Sequence, residues 1–333
     1  MTAFLEVALF LVSLVLTLAA AAFFARRLDR VGLRLGLPET VLGLLTALAA
    51  DAPELASAIA ALVKGDRGVG VGVVVGSNVF NLAAMIGLTA IVAGHIRVRR
   101  EALAVEGTVG LATAIVVAAL VAGLVSPTAA IAIIGCVLLP YLLLLGFGHK
   151  HVEETPLAKG PARFLRRSFG AEHRPAQPLP HQAEKILRPA LLLLPAVAII
   201  VIGAAGMVET GLRLSDRLDV PRYVTGVLLL AVLTSLPNAF TAARLGLHGR
   251  GSAVLSETLN SNTINLVAGV AVPALLLTLG DFSGLVEFDL VWMIGMTVVV
   301  LTLLARPRGV GPVAGGLLVA LFVVFAGVQA AAG

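Results

Sequence analysis

The sequence predicts an all-α polytopic membrane protein of about ten transmembrane helices, arranged as two five-helix repeats of inverted topology. Three observations predict it. The 333-residue chain is 59% hydrophobic and 13% charged, with a mean hydropathy of +1.01; a soluble domain is about 25% charged. Apolar runs near the length that crosses a bilayer recur at 3–25, 39–63, 69–94, 102–125, 128–148, 188–210, 223–247, 253–279, 286–305 and 309–331. Two stretches also repeat one motif at a fixed offset of 184 positions, pairing Pro53 with Pro237, Ser77 with Ser261, Asn78 with Asn262 and Asn81 with Asn265. Their connecting loops keep the same length.

The first span is apolar from near Met1 and lacks a basic leader, so it reads as a retained helix and not a signal peptide. With ten spans and the N-terminus outside, the C-terminus is also outside. Of 24 Lys and Arg, 19 then fall in cytoplasmic loops, and Lys64, Arg67, Arg213, Arg217 and Arg222 fall outside. The net charge of +5 is thereby a signal of topology in an inner or plasma membrane, and implies no nucleic-acid partner. Five spans per half give the halves opposite orientations. The repeats occupy 1–148, with its motif at 43–82, and 188–333, with its motif at 227–266. A basic cytoplasmic linker, 149–187, joins them as a tether. Its His149, His151, His173 and His181 are irregularly spaced without cysteines, which suits solvated histidines better than a metal site. The single cysteine, Cys136, lies in an apolar span and excludes a disulfide framework.

Spans two, three, seven and eight carry the chemistry. In span two, Asp51 and Glu54 share a helix face if the helix is continuous. Pro53 between them removes a backbone donor, which frees carbonyls near Ala49 and Ala50. Freed carbonyls beside carboxylates make a hard-oxygen site of the kind Ca²⁺ and Na⁺ prefer. Span seven repeats the device with Thr234, Ser235, Pro237 and Asn238. In span eight, Glu257, Ser261 and Asn265 form one stripe at i, i+4, i+8; the matching residues of span three are Val73, Ser77 and Asn81. Gly68, Gly70, Gly72 and Gly76 let span three approach its neighbours closely. A lone Ser, Asn or Pro in a membrane helix is ordinarily packing or a kink, but buried carboxylates are costly and seldom decorative. Asp51, Glu54 and Glu257 within duplicated elements therefore point to a cation site at the bilayer midplane. Glu106 has no repeat partner and is expected to pair with another helix, and Glu6 is expected to lie close to the membrane surface without a role.

At these residues the chain resembles the cation/Ca²⁺ antiporter superfamily, which includes the sodium/calcium exchangers. The family's two repeats read G-T-S-x-P-E and G-S-N-x-F-N. This chain has Ala49-Ala50-Asp51-Ala52-Pro53-Glu54 and Gly76-Ser77-Asn78-Val79-Phe80-Asn81, then Leu233-Thr234-Ser235-Leu236-Pro237-Asn238 and Asn260-Ser261-Asn262-Thr263-Ile264-Asn265. The resemblance implies a secondary antiporter exchanging Ca²⁺ for Na⁺ or H⁺ by alternating access, with spans one and six sliding as a gate. By position Glu54 matches a principal cation-binding carboxylate of the family; the residues expected to carry charge here are Glu54, Asp51 and Glu257, with Ser77, Ser261, Thr234, Ser235, Asn238, Asn81 and Asn265 as neutral ligands. The expected partners are inorganic cations and the lipid bilayer, with no cofactor and no obligatory protein partner.

The chain departs from the family at three positions. Asn238 replaces the acid after the second proline, Asp51 replaces a serine, and Glu257 stands where a neutral polar residue is usual. These changes open an alternative on the same fold: Mg²⁺ or Mn²⁺ transport, or Na⁺/H⁺ antiport. An enzyme is the competing class. The chain has no H-E-x-x-H motif, and His95 and His248 sit at span ends away from the acids; repeats of opposite orientation also favour alternating access over a channel.

Overall fold

The computed structural model of the protein describes residues 3–34, 47–147, 191–280, 282 and 284–332. The described chain is almost wholly helical. The helices are α1 (Ala3–Arg34), α2 (Ala52–Val63), α3 (Arg67–Ala93), α4 (Arg100–Val121), α5 (Pro127–Phe147), α6 (Leu193–Arg217), α7 (Arg222–Leu247), α8 (Gly251–Leu266), α9 (Gly284–Leu304) and α10 (Pro312–Ala332). Seven of them are long and apolar enough to cross a membrane, and α2 and α5 are shorter apolar helices. α8 follows the same path but is dense in Ser, Thr and Asn, because it is buried and not set against lipid. The linker 149–187 and its histidines lie outside the described residues.

The offset seen in the motif runs through the whole fold. Helix α3 starts at Arg67 and α8 at Gly251; α4 starts at Arg100 and α9 at Gly284. Each motif helix then widens into a π-helical turn, Leu82–Leu88 after Asn81 and Val267–Ala271 after Asn265. Such turns break the regular side-chain stacking of an α-helix and recur at functional sites.

Helix α3 is buried from Val69 to Gly87 and forms the centre of the bundle. Small residues allow this: Gly72 faces the Tyr223 ring, and Gly76 lies so close to the Val227 carbonyl of α7 that no side chain fits. α2, α7 and α8 pack around α3, and α4 and α9 close one side. α1 lies along α6 through Ser13, Thr17, Gly203 and Gly206. Glu6, in the first turn of α1, is buried and ion-paired with Arg217 in the last turn of α6 at 3.0 Å, and the partner offsets the cost of burying the acid. α10 turns most of its surface outward, as a lipid-facing helix does, and Cys136 on α5 is exposed.

The loop ends are fixed by polar contacts. Lys64 pairs with Glu209 at 2.5 Å, and Arg222 reaches both Asp66 and Asp216 at 3.0 and 2.7 Å. At the opposite end the backbones of Ile96 and Val310 exchange both hydrogen bonds. Gly309 permits that contact, since it has a φ of 66° and sits against the Ile96 carbonyl.

Candidate cation site

The two copies of the motif meet at the centre of the bundle. The Asn78 amide donates to the Asn262 carbonyl at 3.2 Å, and the Asn262 amide donates to the Asn78 carbonyl at 3.2 Å. This reciprocal pair marks a local two-fold relation between the repeats. Asn81 Nδ2 also donates across the interface, to Ser261 Oγ at 3.2 Å and Asn262 Oδ1 at 3.1 Å. Sequence reading had placed Asn78 and Asn262 in the motif without a role. Their structural use follows from spacing: each lies one residue past the serine stripe and so faces the other repeat.

Helix α2 does not run unbroken through the site. Residues 47–50 are helical, the chain bends at Asp51, and the helix restarts at Ala52 with Pro53 in its first turn. The cause is local, because Pro53 has no N–H for the Ala49 carbonyl and its ring crowds the preceding turn. Asp51 therefore occupies the N-cap and Glu54 the first turn of α2, where the helix dipole favours negative charge. This corrects the expectation that α7 repeats the device. α7 stays helical through Pro237, and its irregularity is a π-helical turn upstream, at Thr225–Leu230. Thr234 turns its hydroxyl back to the Leu230 carbonyl at 2.8 Å.

The polar side chains converge. Asp51, Glu54, Ser77, Asn81, Thr234, Ser235, Asn238, Ser261 and Asn265 are each at most 1% exposed. Ser77 and Ser261 lie ten residues into α3 and α8, so both are about 15 Å along helices that rise 1.5 Å per residue, near the middle of a ~30 Å hydrocarbon layer. Ser261 Oγ donates to Asp51 Oδ1 at 2.6 Å. Asn238 Nδ2 stands between the acids, 2.7 Å from Asp51 Oδ1 and 3.3 Å from Glu54 Oε1, and 3.4 Å from Ser261 Oγ. Asn265 Nδ2 reaches Ser77 Oγ at 3.5 Å. Neither carboxylate has a Lys or Arg partner among the described residues.

Six buried oxygens of this set have no hydrogen-bond partner among the described residues: Asp51 Oδ2, Glu54 Oε2, Asn81 Oδ1, Ser235 Oγ, Asn238 Oδ1 and Asn265 Oδ1. Ser235 stands beside Glu54 without reaching hydrogen-bond geometry. Unpartnered buried oxygens are rare and each costs about 1–3 kcal/mol. Two carboxylates and four neutral oxygens gathered at membrane depth have the donor chemistry of a hard cation such as Ca²⁺ or Na⁺.

Glu257 stands apart from this set. It lies one turn before Ser261 on α8 and makes no hydrogen bond or ion pair with the described residues. Among the described residues no three His, Cys, Asp or Glu side chains come together as a metal-binding group. The anionic part of the site is thus a pair of acids. Glu106 does find a helix partner, accepting from Ser256 of α8 at 2.7 Å. Sequence reading missed Asp289, fully buried on α9, which accepts from Tyr223 and Gln329 at 2.5 Å each. A carboxylate within span nine was the signal available for it.

Comparison with known proteins follows the same layout. A family model described as sodium/calcium exchanger protein matches residues 5–147 and 189–331. The sodium/calcium exchanger MaX1 of Methanosarcina acetivorans is 24% identical over 276 residues, covering 77% of this chain and 79% of that protein. Two structures of the sodium-calcium exchanger NCX_Mj have the same fold. The one soaked with 10 mM Na⁺ and zero Ca²⁺ has a TM-score of 0.60, and the one soaked with 2.5 mM Na⁺ and 10 mM Sr²⁺ has 0.61. Both are 21% identical and cover 97% of this chain and 98% of the other.

Proposed function

This chain belongs to the sodium/calcium exchanger family, and from the chemistry of its central oxygens we propose that it is a secondary antiporter exchanging Ca²⁺ for Na⁺ by alternating access. The observation that carries the reading is the set of unpartnered buried oxygens around Asp51 and Glu54. Two charged carboxylates cannot be left bare at the centre of a bilayer, because desolvating them costs several kcal/mol each. Release of one cation species is therefore tied to capture of another. That coupling is antiport.

In this reading Asp51 and Glu54 bind the cation, and Ser77, Asn81, Thr234, Ser235, Asn238, Ser261 and Asn265 supply neutral oxygens. Glu257, near Asp51, adds to the negative potential that draws cations toward the site. α1 and α6 move together as the gate, and their tight contact through Ser13, Thr17, Gly203 and Gly206 favours motion as a unit. The termini lie outside, on the asymmetry of basic residues. A proton is the second candidate counter-ion, since the two acids lie three residues apart without a cationic partner and are suited to bind protons as well. Mg²⁺ or Mn²⁺ remains the alternative cargo because Asn238 leaves the second repeat without an acid.

The test is ⁴⁵Ca²⁺ uptake by proteoliposomes under an outward Na⁺ gradient, an outward H⁺ gradient or neither, with Mg²⁺ and Mn²⁺ as competitors. Na⁺-driven uptake supports the reading. Uptake that proceeds equally without any gradient contradicts it.

A further inference from the structure

We infer that Asp289 is a proton-binding site, separate from the cation site and shared by α7, α9 and α10 at the outer end of the bundle. The inference does not rest on the antiport reading.

Asp289 is fully buried five residues into α9, about 8 Å from the start of that helix. Its two oxygens accept from two other helices. Tyr223 Oη of α7 donates to Oδ2, and Gln329 Nε2 of α10 donates to Oδ1, each at 2.5 Å. Tyr223 stands twelve residues before Ser235 on α7, on the order of 15 Å of helix, so this site is distinct from the central one. Both partners of Asp289 are neutral. The charged groups on the elements packed around it are engaged or directed elsewhere. Arg222, next to Tyr223, binds Asp66 and Asp216. The one charged residue of α3 is Arg67, at its start beside Gly280. On α4, Arg100 and Glu101 lie in the first turn, on the cytoplasmic side in the proposed topology, and Glu106 accepts from Ser256. α10 carries no charged residue, and Glu287 of α9 is exposed.

A carboxylate buried at membrane depth without a cationic partner costs several kcal/mol, and a proton or a bound cation removes that cost. The surroundings select the proton. Ca²⁺ takes about 6–8 oxygens, whereas the side chains bonded to Asp289 add one phenol and one amide oxygen. Gln329 serves both forms of the acid. As found, its N–H donates to Asp289, and its Oε1 is buried without a partner among the described residues. A half-turn of the amide brings that oxygen to Asp289 Oδ1, where it accepts from the protonated acid. The Tyr223 phenol donates to either form. It is partly exposed beside the exposed Arg222, which gives protons a path from the water outside. Tyr223 also lies against Gly72 of α3 and opens α7, the helix that carries Ser235 and Asn238. The site thus anchors the outer end of a cation-site helix.

Infrared spectra of the purified protein in liposomes, taken in steps between about pH 5 and 9, read a protonated carboxyl directly through its C=O stretch. The difference between wild type and Asp289→Asn isolates this site, because the other acids are present in both proteins and cancel. The expected difference is the band of one protonated carboxyl, which falls as the pH rises. Gln329→Leu removes the acceptor of that proton and is expected to move the band to higher frequency, as for a carboxyl with a weaker hydrogen bond. Identical spectra of wild type and folded Asp289→Asn at every pH overturn the inference. A band that Na⁺ removes at fixed pH makes the site a Na⁺ seat and overturns it as well. If Asp289→Asn fails to fold, Gln329→Leu decides: a carboxyl band moved from its wild-type position supports the site, and an unmoved spectrum overturns it. None of these readings needs transport, so they stand apart from the fate of the antiport reading, which the uptake assay tests.

Discussion

At the scale of single residues, Asn238 is the position where this chain differs most in consequence from its own other half. An acid on α2, Glu54, corresponds to an amide on α7, and the amide donates to both acids of α2. Asn238→Ala is expected to lower the melting temperature of the Ca²⁺-free protein by the equivalent of about 1–3 kcal/mol, the cost of stripping donors from buried acceptors. The same variant should gain less thermal stabilisation from Ca²⁺ than the wild type, because the Asn238 Oδ1 offered to the cation is lost with the amide. Melting curves in detergent with and without Ca²⁺ measure both effects, and an equal Ca²⁺ shift in the two proteins contradicts this role. Asn78 is a different case, since its reciprocal bond with Asn262 holds the repeats together and binds no cation in this account. Asn78→Ala should cost roughly 1 kcal/mol of stability, in the range of interhelical hydrogen bonds in membranes. Its Na⁺-to-Ca²⁺ stoichiometry should be unchanged when the equilibrium Ca²⁺ gradient is measured.

At the scale of elements, most of the architecture was legible from hydropathy and from the repeat. Each span reads from a run of apolar residues, and the constant offset fixed the correspondence of helices α3 with α8 and α4 with α9. What the sequence left open was the local course of the backbone. Pro53 and Pro237 look equivalent as letters, yet the chain bends at Asp51 and runs straight through Pro237. A proline removes one hydrogen bond in either place; whether the helix opens depends on the groups packed around it, and these come from distant parts of the chain. The π-helical turns after Asn81 and Asn265 were likewise not readable, because nothing in the composition of a short apolar stretch distinguishes them. The buried serines and asparagines were legible as a stripe, but the separation of Glu257 from the acid pair required the rotation of α8 to be known. The close passage of α3 past α7 at Gly76 gives a direct test of the packing. Gly76→Val forces the Val227 backbone away and should cost about 1–3 kcal/mol, as overpacked cores do, measurable as a lower melting temperature. An unchanged melting temperature contradicts the packing described for α3.

At the scale of the whole molecule, inverted repeats give one site two equivalent routes to water. A site about halfway along α3 and α8 is equally far from both membrane faces, which is the geometry alternating access requires. The orientation proposed from the basic asymmetry, with the termini outside, has a direct test. In a Cys136→Ser background, a cysteine at position 64 should react with a membrane-impermeant maleimide added outside intact cells, and one at position 97 should react only after permeabilisation. The reverse pattern would invert the topology. The central claim is that Asp51 and Glu54 hold the transported cation. The most direct measurement is Na⁺-driven ⁴⁵Ca²⁺ uptake by proteoliposomes of the wild type and of the double variant Asp51→Asn, Glu54→Gln, with folding checked by size-exclusion profile. The account predicts loss of exchange by more than about a hundredfold, beyond the 10–100-fold effect of removing even an outer partner of a metal ligand. Exchange at the wild-type rate in the folded double variant would contradict it.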